Sequence, residues 1–185
     1  MTPLLQPADC CVLLVDPLAR HLSRLEATGQ ADPARWLKLV IDAALAGAIP
    51  VHLAFAGSLP EPHDWLAPST ALPALNVHAL GTEGLSRSGL PAVLGAQNRG
   101  SLILAGFWLE TTVTFLALPA LAAGLEVFVL MDASPAWVET AARAAADRLL
   151  QAGAVPVTTH QLIAEWMEAS DPVVLAALSP LVPTQ

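Results

Sequence analysis

Short apolar runs alternate with segments of helical periodicity along most of this chain. The run CVLLV (11–15) is continuous and branched, and it ends at Asp16-Pro17. That is the pattern of a strand buried on both faces. IPVHLAF (49–55), SLILAG (101–106) and LEVFVLM (125–131) repeat it, and AVPVT (154–158) makes a shorter last strand. Residues 18–27 predict a short helix. A better one follows, with Asp32 as N-cap and Pro33 in its first turn. Its apolar positions Trp36, Leu37, Val40, Ile41, Ala44 and Leu45 keep helical spacing until Gly47. Further helices are predicted near 88–97 and over 110–123, the second kinked at Pro119 and ended by Gly124. Ser134-Pro135 reads as the N-cap and first turn of an Ala-rich helix to about Gln151. Thr159 reads as the cap of a final helix over QLIAEWMEA. From Gly57 to about Leu80 the residues are rich in Pro, His and polar types, which predicts an irregular excursion. The tail from Asp171 carries three prolines and predicts a segment that packs on a neighbour or frays.

Strand and helix alternating at this rhythm mean βαβ units. The expected fold is α/β: a three-layer α/β/α sandwich around a doubly wound, mainly parallel sheet of Rossmann-like type. Ligands of such sheets bind beyond the carboxyl ends of the strands. That rule selects Asp16, Ala56-Gly57, the stretch Gly106 to Thr112, and Asp132 to Ser134.

Composition sharpens the picture. The 185 residues fit a single domain over 1–185. They are 55% hydrophobic and 13% charged, against about 25% charged in an average globular protein. A disordered chain is excluded. The most apolar region is broken by Pro119, Gly124 and Glu126 well before the ~18 clean residues of a membrane span. So few charges hardly cover a lone monomer, which points to a homo-oligomer. A net charge of −8 without a basic stripe argues against nucleic acid and anionic membrane surfaces as partners. The start, MTPLLQPADCC, lacks a cationic and then apolar leader pattern. Adjacent Cys10 and Cys11 form no disulfide framework and fit a reducing cytoplasm.

The candidate chemistry is sparse. No glycine triplet or lysine motif for a nucleotide is present, so no such cofactor is expected. The five histidines (21, 52, 63, 78 and 160) form no ligand-spaced pair, and no metal is expected. Cys10 and Cys11 point to opposite faces of a strand and read as inert buried thiols. Asp16 reads equally as a turn former before Pro17 and as a buried acid facing a pocket. Thr112 reads as an N-cap from pattern alone. The alternative is a hydroxyl facing the cleft, at a helix start whose N–H groups stabilise an oxyanion.

The stretch ILAGFWLETTVTFLALPALAAGLEVFVLMDAS resembles the core signature of the isochorismatase-like cysteine hydrolases. That signature is an apolar strand ending in Ala-Gly, a turn, Thr-Asp-x-Cys-Val, a helix, an apolar strand and Asp-Ala. LLVDPLARH resembles the family's first strand, and AARAAADRLLQAGAVPVT the end of its small YcaC-like branch. The resemblance implies an Asp–Lys–Cys triad hydrolysing amide, imide, related C–N or vinyl ether bonds. It places Asp16 on the catalytic Asp, Thr112 on the nucleophilic Cys, Glu110 on the usual Asp of the motif and, by an ungapped count, His78 near the Lys. No lysine occurs after Lys38, so the catalytic lysine is absent. The resemblance also implies an oxyanion turn at Phe107, Trp108, Leu109 and Glu110, with a cis bond between Trp108 and Leu109 or one residue earlier. The expected function is a hydrolase homologue that has become a pseudoenzyme or small-molecule binder. The alternative is an active hydrolase built on Asp16, His78 and Thr112.

Overall fold

The structure, a computed structural model, describes residues 4–26, 32–67, 71–81 and 89–182. Its centre is β1 (Cys10–Val15), β2 (Val51–Phe55), β3 (Leu75–Ala79), β4 (Ser101–Gly106), β5 (Glu126–Leu130) and β6 (Val155–Val157). They form one sheet in the order β3-β2-β1-β4-β5-β6, and every pairing is parallel. The order reverses direction between β1 and β4. The connections that leave their carboxyl ends there run to opposite faces of the sheet and leave a crevice between them.

Helices cover both faces, because strands this apolar must be buried twice. One side carries α1 (Ala19–Glu26), α2 (Pro33–Ala46), α6 (Thr159–Glu168) and α7 (Pro172–Leu178). Leu37, Val40, Ile41, Leu162, Trp166 and Leu178 pack there against alternate strand residues such as Val12, Leu14 and Ile103. The other side carries α3 (Leu90–Gly95), α4 (Thr114–Ala122) and α5 (Glu139–Gln151), with Leu94, Leu116, Ala117 and Leu149 against Leu13, Val15 and Leu104. Cys10 faces the first core and Cys11 the second, both fully buried. The α/β/α sandwich expected from the sequence is the observed one.

Four local expectations need correction. The stretch 57–80 contains β3, an edge strand whose half-exposed residues mask the apolar signal of a strand. Ser134-Pro135 does not start α5, which begins five residues later at Glu139 after an extended Val138. Ser134 instead closes a short turn after β5 and is buried. Thr159 is not the cap of α6. Thr158 caps it by accepting Gln161 N–H, and the Thr159 hydroxyl and amide both donate to Asp132. The described part of the proline-bearing tail, residues 171–182, is folded onto its own chain. Asp171 caps α7 by accepting the N–H groups of Val173 and Val174, and Leu178 is fully buried within this chain.

Candidate active site at the carboxyl edge

The crevice between β1 and β4 is built by close approach. Phe107 N–H donates to Val15 carbonyl at 2.9 Å just where both strands end. Gly106 lies against Val15 with φ +129°, and a Cβ there would overlap the Val15 backbone. Only glycine fits that combination of space and dihedral. A cis bond then joins Phe107 to Trp108, the earlier of the two bonds expected.

Asp16 leaves β1 in the left-handed region with φ 45°, a conformation short polar side chains tolerate best. Its carboxylate accepts Ala56 N–H at 2.8 Å, which ties the end of β1 to the end of β2. The residue is 9% exposed. Burial raises its pKa above the ordinary carboxylate value, while the Ala56 bond and the charge of Arg20 pull it back. Asp16 is thus a buried acid at the crevice and a turn former at once.

Beyond the cis bond the chain enters a π-helical turn, Leu109–Val113, which leads into α4. Trp108 carbonyl accepts from both Thr111 and Val113 N–H. Thr112 sits inside this turn, 8% exposed, and it does not cap the helix: the residue before the turn is Trp108. Asp16 and Thr112 therefore follow the carboxyl ends of the two adjacent strands that flank the switch point. The Leu109 N–H is committed to Pro135 carbonyl at 2.9 Å, which removes one of the amides expected to serve an oxyanion. Glu110 reaches across the same gap, its Oε1 accepting Trp137 N–H at 3.0 Å, and its Oε2 is sealed from water with no partner among the described residues.

His78 is placed differently. It lies inside β3 opposite Ala54, and its Nε2 is 2.9 Å from Nδ1 of His52. His52 sits opposite Leu13 on β1, three residues before Asp16, and its other nitrogen contacts the Gln97 amide. The two rings stack with centroids 5.2 Å apart. Burial lowers the pKa of both imidazoles. Among the described residues, the hydrogen bond of the His78 ring runs back along the sheet to His52 and away from the edge that holds Asp16.

A different histidine stands at that edge. His21, on the first turns of α1, stacks on Phe107 at 5.2 Å and meets Trp108 edge-on at 5.5 Å. Trp137 packs on Trp108 at 4.6 Å, with the Arg24 guanidinium 5.0 Å above its ring. Among the described residues the His21 Nδ1 is buried without a partner, and Ser134 Oγ on the neighbouring loop is too. Burial, with Arg20 and Arg24 nearby, lowers the His21 pKa to about 4, so its ring is neutral. The sequence signal existed, since His21 follows Asp16 by five residues at a strand's carboxyl end.

The isochorismatase domain matches residues 39–161, two thirds of the chain. The chain belongs to the isochorismatase family. A 63-residue stretch is 44% identical to the probable hydrolase YcaC of Escherichia coli, covering 34% of this chain. That match spans 30% of the length of the curated relative. The crystal structure of Escherichia coli YcaC, described as an octameric hydrolase of unknown specificity, superposes with TM-score 0.72 at 27% identity over 98% of this chain and 92% of that one. Pseudomonas aeruginosa YcaC gives 0.75 at 24% identity over 99% and 94%, and a cysteine hydrolase of Pseudomonas syringae 0.72 at 16% over 91% and 99%; these two speak to the fold.

Proposed function

We propose that this isochorismatase-family chain is a degenerate hydrolase, which keeps the family pocket and binds a small molecule without the family's thiol chemistry. The observation that carries the reading is Thr112, a secondary hydroxyl in the turn after β4 where the resemblance expects the cysteine. A free thiol has a pKa near 8.5 and is readily activated, whereas an aliphatic hydroxyl needs a strong and well-aimed base. Asp16 already accepts the Ala56 amide, His78 is engaged with His52, and the chain's sole lysine is Lys38 on α2. The competing reading, hydrolysis by Asp16, His78 and Thr112, requires His78 to leave that contact. The bound molecule would be a small amide-like or acid ligand, and the reading extends to a homo-oligomer in a reducing cytoplasm.

Kinetics separate the two. The parent should hydrolyse simple amides no faster than a Thr112→Val variant. Thr112→Cys alone should gain little, and Thr112→Cys combined with His78→Lys should gain detectable turnover. Robust hydrolysis by the parent that disappears in Thr112→Val would overturn the degenerate reading.

A further inference from the structure

A second concave site lies away from the crevice. The α2 residues Arg35, Lys38, Leu39 and Asp42 stand at i, i+3, i+4 and i+7, so they form one helical face. Facing them are His160 on α6 and the short turn after α7, and together they enclose a groove of about 420 Å³. One wall is charged. The other is apolar, made by Pro180, Leu181 and Val182, and Leu39 extends it from α2.

The charged wall is unusual for this molecule. In a chain of net charge −8, it gathers an arginine and the sole lysine. Lys38 donates to Asp42 at 2.6 Å, which cancels one positive charge and leaves one in excess. The Arg35 guanidinium lies 4.9 Å over the Trp36 ring, and Trp36 meets the His160 ring edge-on at 4.9 Å. Trp36 thus contacts both polar groups. Among the described residues His160 Nε2 has no hydrogen-bond partner, an orphan that a ligand oxygen or an ordered water would satisfy.

We infer that this groove binds a compact monocarboxylate with an apolar body. The single excess positive charge matches a monoanion, the imidazole adds one hydrogen bond, and the proline-leucine-valine wall takes the hydrocarbon. A dianion lacks a second free cation, and a neutral amide of the same shape forgoes the charge.

Benzoate is a suitable probe, read by the indole N–H resonance of Trp36 and the ring resonances of His160, with benzamide and sulfate as controls. Benzoate should shift these signals saturably, benzamide should not saturate over the same range, and sulfate should compete poorly. Arg35→Gln and Lys38→Gln each remove a surface charge and should weaken benzoate about threefold or more. Asp42→Asn should tighten it by about the same factor, the size expected of partly exposed charges. Equal responses to benzoate and benzamide, sulfate competing as well as benzoate, or indifference to all three substitutions would overturn the site. So would shifts confined to Trp108 and Trp137, which would assign the binding to the crevice instead.

Discussion

The His21 ring lies flat on Phe107 beside the Trp108 turn, and its Nδ1 is cut off from water there. Protonating it would bury a charge beside two arginines, which is why its pKa falls to about 4. The unfolded chain, with an ordinary imidazole near 6.5, binds that proton first as the pH drops. His21 therefore contributes stability that is complete above about pH 6.5 and is lost as the pH falls from there toward 4. His52 and His78, also lowered, act in the same direction, and Asp16, raised, acts in the opposite one. Denaturant midpoints of the parent and a His21→Phe variant, compared at pH 7.5 and pH 4.5, isolate the His21 share. The variant should lose less stability on acidification, and parallel losses would refute this account. Cys10 and Cys11 carry a second prediction at this scale. Burial raises both thiols to about 11, so neither offers thiolate near neutrality. Iodoacetamide at pH 8 should label both slowly in the native protein and quickly in denaturant. Fast native labelling would show that β1 is not sealed. Of the candidate site, the places of Asp16 and Thr112 at the carboxyl edge were legible because Asp16 directly follows one buried strand and Thr112 the turn after another. The partners of His78 were not, since only pairing of β3 with β2 brings it to His52.

At the scale of elements, the meeting of β1 and β4 sets the crevice, and Gly106 is its narrowest point. Gly106→Ala would drive a methyl into the Val15 backbone at a φ that L residues rarely adopt. Strain of that kind, with a displaced strand end, is expected to cost about 3 kcal/mol or more. Denaturant unfolding checks the loss. A change below about 1 kcal/mol would mean the strands separate more easily than their pairing implies. Elements buried on both faces were readable from pattern, and so was α2, whose Asp32 accepts Ala34 N–H as an N-cap should. What escaped was set by tertiary partners. β3 is an edge strand of only five residues, LNVHA, and its brief alternation is swamped by the Pro-rich stretch that precedes it. Ser134-Pro135 carries the signature of a helix start, yet Pro135 carbonyl is drawn to Leu109 N–H and the helix begins only after Val138. Thr158 and Thr159 are both competent caps, and Asp132 decides between them by capturing Thr159.

At the scale of the molecule, the shortage of charge has a visible counterpart on α4 and α5. Phe115 is 45% exposed and Leu150 59%, and Phe115, Leu118, Pro119 and Ala122 line a shallow groove beside Arg148. A second depression, between Glu110, Thr114, Ala141 and Ala144, adjoins it through the same arginine. Trp137 and Val138 stand exposed on the loop into α5. Val173 and Leu59 are exposed elsewhere, but the apolar groups of α4, α5 and the loop into α5 border two depressions, and in a protein this poor in charge a covering subunit explains them best. A second copy is the occupant we expect, and the octameric YcaC structure shows that this fold supports such assemblies. Light scattering at micromolar concentration should return a mass that is a multiple of 19.2 kDa. Phe115→Glu places a charge in the middle of the face, and burying it unpaired would cost several kcal/mol per interface. That variant should shift toward smaller species while keeping the parent's circular dichroism, because the Phe115 ring contributes little to the intramolecular core. A monomeric parent would sink the assembly. An unaltered oligomer in Phe115→Glu would move the interface elsewhere, and α3 with its half-exposed Val93 would be the next face to test.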